Sequence, residues 1–154
     1  MYKKFLPLAA LAVLSALSCT QSERSLIEKT LSDREQSFET NDVELYLSSI
    51  SPDYSAKKGK RTFGIKELKL NFEGISKFFD HIKITHSNRS IYYYGDKAKV
   101  VQRALVEVRM EKENIHTSFM MKETIELKKT GEKWLIIKEA DRDYAEGFVY
   151  GGGG

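Results

Sequence analysis

From residue 25 to residue 79 apolar side chains recur at helical spacing, and from His81 onward they alternate. Ser25 followed by Glu28 has the form of a capping box and predicts a helix start. Ile27, Leu31, Arg34 and Phe38 then share one stripe, which Leu26 and Thr30 widen. Asn41 with Glu44 repeats the capping signature and predicts a second, shorter helix over Val43, Tyr46, Leu47 and Ile50, ended by Pro52. Residues 53–62 read as a polar loop. Ile65, Leu68, Phe72, Ile75 and Phe79 predict a third amphipathic helix.

The alternating half begins at Ile82 and Ile84 and runs to Tyr94, where Gly95-Asp96 signals a tight turn. Ala98, Val100, Gln102, Ala104, Val106, Val108 and Met110 then occupy one face of a second strand. Glu111 to Asn114 reverses the chain. Phe119, Met121, Glu123, Ile125 and Leu127 line a third strand, Thr130-Gly131-Glu132 turns, and Trp134 to Ile137 opens a fourth. Hairpin-like joints in series predict an antiparallel meander, and helices followed by strands predict an α+β pair of layers.

The first eighteen residues differ in kind. Lys3 and Lys4 precede an apolar run from Phe5 to Leu17, broken by Pro7 and Ser15. That run is short of the roughly 20 residues a comfortable membrane span needs and has the length of a secretory signal. Cys19 follows directly. Ala16-Leu17-Ser18-Cys19 resembles the processing site of a bacterial lipoprotein precursor. The resemblance implies a diacylglycerol on the Cys19 thiol, cleavage before Cys19 and acylation of the new amine. It thereby implies a bacterial cell-envelope location, with the domain outside the cytoplasm and the membrane as a partner. A plain secretory signal and an uncleaved anchor are the other readings. The expected organisation is a signal over 1–18, a tether over 19–24, a folded domain over 25–146 and a flexible Gly-rich tail over 147–154.

Composition sharpens this reading. Charged residues are 31% of the chain, as 25 Lys and Arg against 22 Asp and Glu. Lys3 and Lys4 fall in the expected signal, which holds no acid, so the remainder is near neutral at +1. Such a balance argues against nucleic acid as a partner. A single cysteine excludes a disulfide framework, and three scattered histidines argue against a metal site. His81 and His86 stand on opposite faces of a regular strand, and His116 lies near a turn. No Gly-x-Ser-x-Gly elbow or Gly-rich phosphate loop is present, and no cofactor is expected.

Four local patterns stand out together: Asn41-Asp42-Val43-Glu44-Leu45-Tyr46-Leu47 with the Ser51-Pro52-Asp53-Tyr54 stop, Gly64-Ile65-Lys66-Glu67-Leu68, Gly95-Asp96-Lys97-Ala98-Lys99-Val100, and Lys129-Thr130-Gly131-Glu132-Lys133-Trp134-Leu135-Ile136. In them, over about residues 25–140, the chain resembles the nuclear-transport-factor-2-like (NTF2-like, SnoaL-like) superfamily. The resemblance implies a cone, with N-terminal helices packed on a curved antiparallel sheet and a pocket at the open end. It also implies dimerisation through the outer sheet face, to which Tyr92-Tyr93-Tyr94, alternating faces, would contribute at most two rings. Some members are isomerases, hydratases or cyclases with Asp or His in the cone, and no acid–base pair here matches theirs residue by residue.

Glu123 and Gln102 interrupt otherwise apolar strand faces, as polar spots in a pocket would. The alternative is that Glu123 meets a Lys or Arg, or that its face is solvated. Tyr46, Phe119 and Trp134 are the further pocket candidates. Lys57, Lys58, Lys60 and Arg61 form the densest basic cluster, which would contact anionic headgroups or simply be solvated. Asn88-Arg89-Ser90 matches a glycosylation acceptor, of little weight in a bacterial lipoprotein. The expected function is a lipid-anchored envelope protein whose non-catalytic domain binds a small apolar ligand or an envelope protein. The alternatives are an isomerase or hydratase with Glu123 as general base, and a structural interaction module with a filled cone.

Overall fold

The computed structural model describes the backbone of residues 9–58 and 61–140, and side chains within 22–56 and 62–139. Helix α1 is Ala9–Thr40 and α2 is Val43–Ser48. A small hairpin follows, β1 (Ala56–Lys58) and β2 (Arg61–Phe63), then helix α3 (Ile65–Phe78). Four longer strands complete the described residues: β3 (His81–Tyr94), β4 (Lys97–Met110), β5 (Ile115–Thr130) and β6 (Lys133–Ala140). They form one antiparallel sheet in the order β3-β4-β5-β6, the expected meander.

Three local expectations need correction. Ser25 lies inside α1 and does not begin it, and residues 19–24 are helical backbone. Arg24 and Glu28 sit one turn apart as an ion pair, so the Glu28 carboxylate is turned to side chains instead of a free amide. Asn41 does not cap α2. It sits at φ 55° after α1, and the Asp42 amide donates back to the Ser37 carbonyl, a left-handed helix stop. Asp42 is the cap, accepting from the Leu45 amide at 2.9 Å. Residues 53–62 are not all loop, because Ala56 pairs with Phe63 and Lys57 with Thr62 in the β1–β2 hairpin. Two strands of three residues are too short to show a period in sequence.

Helix α1 packs its Ile27, Leu31, Arg34 and Phe38 stripe against the concave side of the curved sheet, and all four are buried. β4 presents its whole predicted inward set, Ala98 through Met110, as buried residues. Phe38, Tyr46 and Phe72 form an aromatic cluster between the three helices, with centroids 4.9–5.5 Å apart. The edge of β6 is covered by the segment after α2. The Ser51 amide donates to the Ile136 carbonyl, and the Ile136 amide to the Ser49 carbonyl. Among the described residues no helix is long and apolar enough to cross a membrane. The Gly-rich tail, residues 1–8 and Lys60 lie outside the described residues.

Two bulges break the alternation and decide what enters the cone. On β3 the register shifts between Ser87, opposite Arg103, and Ser90, opposite Val101, with Asn88 at φ 52°. One extra residue reverses the parity. Ile82 and Ile84 face inward before it, and Ile91 after it, while Arg89 turns into the cone. On β6 the shift falls at Ile137, since Leu127 pairs with Ile136 but Glu126 pairs with Lys138. Strict alternation from Trp134 and Ile136 would send Lys138 inward. The bulge sends Glu139 there instead, opposite Ile125.

Candidate functional site

The polar residues inside the cone form one connected set. Arg34, held on the buried stripe of α1, donates from Nη2 to Glu123 Oε1 and from Nε to Glu139 Oε1, each at 2.8 Å. The Arg34 and Glu123 side chains have no exposed surface. The second Glu123 oxygen accepts from Gln102 Nε2 at 2.6 Å, across the directly opposed Gln102–Glu123 pair of β4 and β5. Gln102 Oε1 in turn accepts from Arg89 Nε at 2.6 Å. Arg89 then spreads its other nitrogens over α1, one to Glu28 and one to Glu35, the latter at 2.6 Å. His86 Nδ1 lies 3.1 Å from the other Glu35 oxygen, and the Tyr46 hydroxyl donates to Glu139 at 3.5 Å.

The Gln102–Glu123 pair lies between two arginines, Arg89 and Arg34, and both Glu123 oxygens and both Gln102 amide atoms are engaged. A buried charge survives only when paired and hydrogen-bonded, which this geometry achieves for Glu123. Glu139 is held as well, by Arg34 and by the Tyr46 hydroxyl. Burial pushes its carboxyl above the ordinary range, Arg34 opposes that, and the nearby Glu123 charge adds to it. Tyr54, buried beside it, is raised chiefly by burial and then by the Glu139 charge. Among the described residues no group of His, Cys, Asp and Glu could hold a metal ion.

Of the expected pocket residues, Glu123 and Gln102 do meet, and Tyr46 joins them through Glu139. Phe119 and Trp134 do not. Phe119 lies further along β5 opposite Val106, and Trp134 lies at the other end, opposite Lys129. Trp134 donates its indole N–H to Glu23 Oε2 at 2.6 Å and packs edge-on to Tyr93. The backbone of Lys57, Lys58 and Arg61 belongs to the β1–β2 hairpin. The backbone at Cys19 is part of α1.

The residues that sequence reasoning passed over are Arg89, Glu139, Glu28 and Glu35. Arg89 and Glu139 owe their inward aim to bulges, which no alternation reveals. Asn88, a residue tolerant of positive φ, was the only local hint of the first. Arg34 did stand in the predicted apolar stripe, and a guanidinium there signals a buried partner.

No family model matches the chain, and no curated protein matches it. Solved structures do. The fold is similar to that of a protein from Novosphingobium aromaticivorans provisionally assigned as a scytalone dehydratase, with a TM-score of 0.72, 20% identity and 80% of this chain covering 85% of that one. It is similar to a provisionally assigned dehydratase of the NTF2-like family from Streptomyces avermitilis, with a TM-score of 0.67, 14% identity, and 78% and 94% coverage. A hexachlorocyclohexane dehydrochlorinase gives a TM-score of 0.67 at 15% identity, over 78% of this chain and 84% of that one. With helices packed on a curved four-stranded antiparallel sheet, the chain has the NTF2-like cone fold.

Proposed function

We propose that this chain is a lipid-anchored protein of the bacterial cell envelope whose cone serves as a non-catalytic interaction module. One observation carries the reading of the cone: both oxygens of Glu123 are already bonded, to Arg34 and to Gln102, with no exposed surface. A general base must reach the proton it removes, and this carboxylate faces a guanidinium instead. Phe72, Phe79, Phe119 and Trp134 are all buried as well, as a filled cone requires. A partner then meets the outer surface, which favours an envelope protein or membrane over a small apolar ligand. The anchor rests on Ala16-Leu17-Ser18-Cys19.

The test is the intact mass of the protein purified from a membrane extract, with a fatty-acid probe supplied to the cells. The expected result is a chain beginning at Cys19, carrying acyl mass and probe label that Cys19→Ala abolishes. Label retained by Cys19→Ala, or an unmodified chain, contradicts the anchor. A stoichiometric small molecule held by the native protein contradicts the filled cone.

A second reading has one supporting observation, the fold likeness to proteins named as dehydratases and a dehydrochlorinase. In it Glu123 acts as base on a substrate that displaces Arg34. Turnover abolished by Glu123→Gln, with the fold retained, favours that reading over the first.

A further inference from the structure

The convex face of the sheet carries charge of largely one sign. Lys97, Lys99 and Arg103 point outward from β4, and Lys122 and Lys128 from β5. The register sets Lys97 directly opposite Lys128 and Arg103 directly opposite Lys122. Like charges so placed destabilise a sheet, so fold stability does not account for them. Among the described residues none of these four lies within ion-pair distance of a carboxylate. Glu126, on the same face, is 3.7 Å from Lys138.

Tyr92 and Tyr94 extend the patch on β3, opposite Lys99 and Lys97, and are 50% and 62% exposed. Phenol rings beside flexible ammonium groups suit the boundary between headgroups and acyl chains. The position matters as much as the charge. Glu23 of α1 is bonded to Lys129 and Trp134, and the Lys129 amide donates to Asp96 in the β3–β4 turn at 2.7 Å. The N-terminal half of α1 therefore leaves the domain at this corner. Cys19 precedes Glu23 by about one helical turn, roughly 6 Å of helix axis.

We propose that Tyr92, Tyr94, Lys97, Lys99 and Lys128 form a docking surface for anionic phospholipid headgroups, which lays the hairpin end of the sheet on the membrane that Cys19 anchors. The orientation rests on the lipid-anchor reading, whereas the headgroup affinity does not. A second copy is the poorer occupant, because face-to-face pairing would bring two cationic surfaces together.

The test uses the full chain carrying Cys19→Ala, so that no acyl chain contributes, and vesicles of phosphatidylcholine with or without phosphatidylglycerol. Tighter partition onto the anionic vesicles is expected, falling with added salt. Lys97→Glu with Lys128→Glu should weaken it by about 25-fold or more, at roughly fivefold per lysine. Lys66→Glu with Lys112→Glu, an equal charge change elsewhere, should keep most of the selectivity. Lys97→Gln with Lys128→Gln removes the repulsion within the sheet, so it should fold at least as well and still lose selectivity. Equal partition onto both vesicles overturns the proposal. So does selectivity lost only on Lys57→Glu with Lys58→Glu, or a dimer that Lys97→Glu abolishes without any vesicle selectivity. Failure here leaves Cys19 labelling untouched, and failure of labelling leaves the vesicle result in place.

Discussion

Arg34 of α1 and Glu123 of β5 meet at 2.8 Å with neither side chain exposed, so one ion pair joins the first helix to the middle of the sheet. The same guanidinium holds Glu139 of β6 at 2.8 Å. Removing it leaves two carboxylates facing each other in the core. Arg34→Met should therefore cost about 3–5 kcal/mol in urea unfolding, far more than an ordinary large-to-apolar exchange on a surface. A loss below about 1 kcal/mol would mean that water reaches the pair.

Glu139 sets the pH dependence. Its carboxyl titrates higher in the folded chain than in the unfolded one, because burial and Glu123 outweigh Arg34. The folded state thus holds the proton more tightly, and this contribution is fully present below the unfolded value. It is lost as pH rises through the folded one. Unfolding free energy measured from pH 4 upward should show this decline, and Glu139→Gln should flatten it. An unchanged slope in Glu139→Gln would assign the dependence to another group.

The bulge on β3 depends on Asn88 at φ 52°. Glycine adopts that conformation freely and a β-branched residue does not, so Asn88→Gly should be near neutral. Asn88→Val should cost about 1–2 kcal/mol and loosen Arg89. Thermal melts of the two variants check the difference. Equal melts would show that the bulge forms without help from residue 88.

The lone tryptophan offers a local probe. Trp134 is buried and donates its indole N–H to Glu23, while Lys129 holds the Glu23 carboxyl below its ordinary range. Glu23→Ala removes the acceptor. It should shift Trp134 emission and speed amide exchange around residues 23–27 of α1, with little change in the centre of the sheet. Unaltered exchange in α1 would show that its apolar stripe alone fixes the helix.

What could be read from the sequence follows from periodicity. The stripe Ile27, Leu31, Arg34, Phe38 and the alternation Ala98 to Met110 each repeat over several turns or pleats, and both are realised. The same patterns exposed Glu123 and Gln102 as polar intruders on an inward face. Their partners stayed hidden where a single inserted residue reverses the parity, as at Arg89 and Glu139. The β1–β2 hairpin stayed hidden because three residues cannot display a period. Ser25 and Glu28 matched a capping box, yet the backbone there was already helical and Glu28 served arginines instead.

The polar set in the cone holds the fold together, and the sharpest check on this is equilibrium urea unfolding of Glu123→Gln. Both Glu123 oxygens accept hydrogen bonds, so the amide of glutamine would set a donor against Arg34 or Gln102. A loss of about 1–3 kcal/mol is expected. A gain in stability, as when a strained catalytic carboxylate is removed, would contradict it.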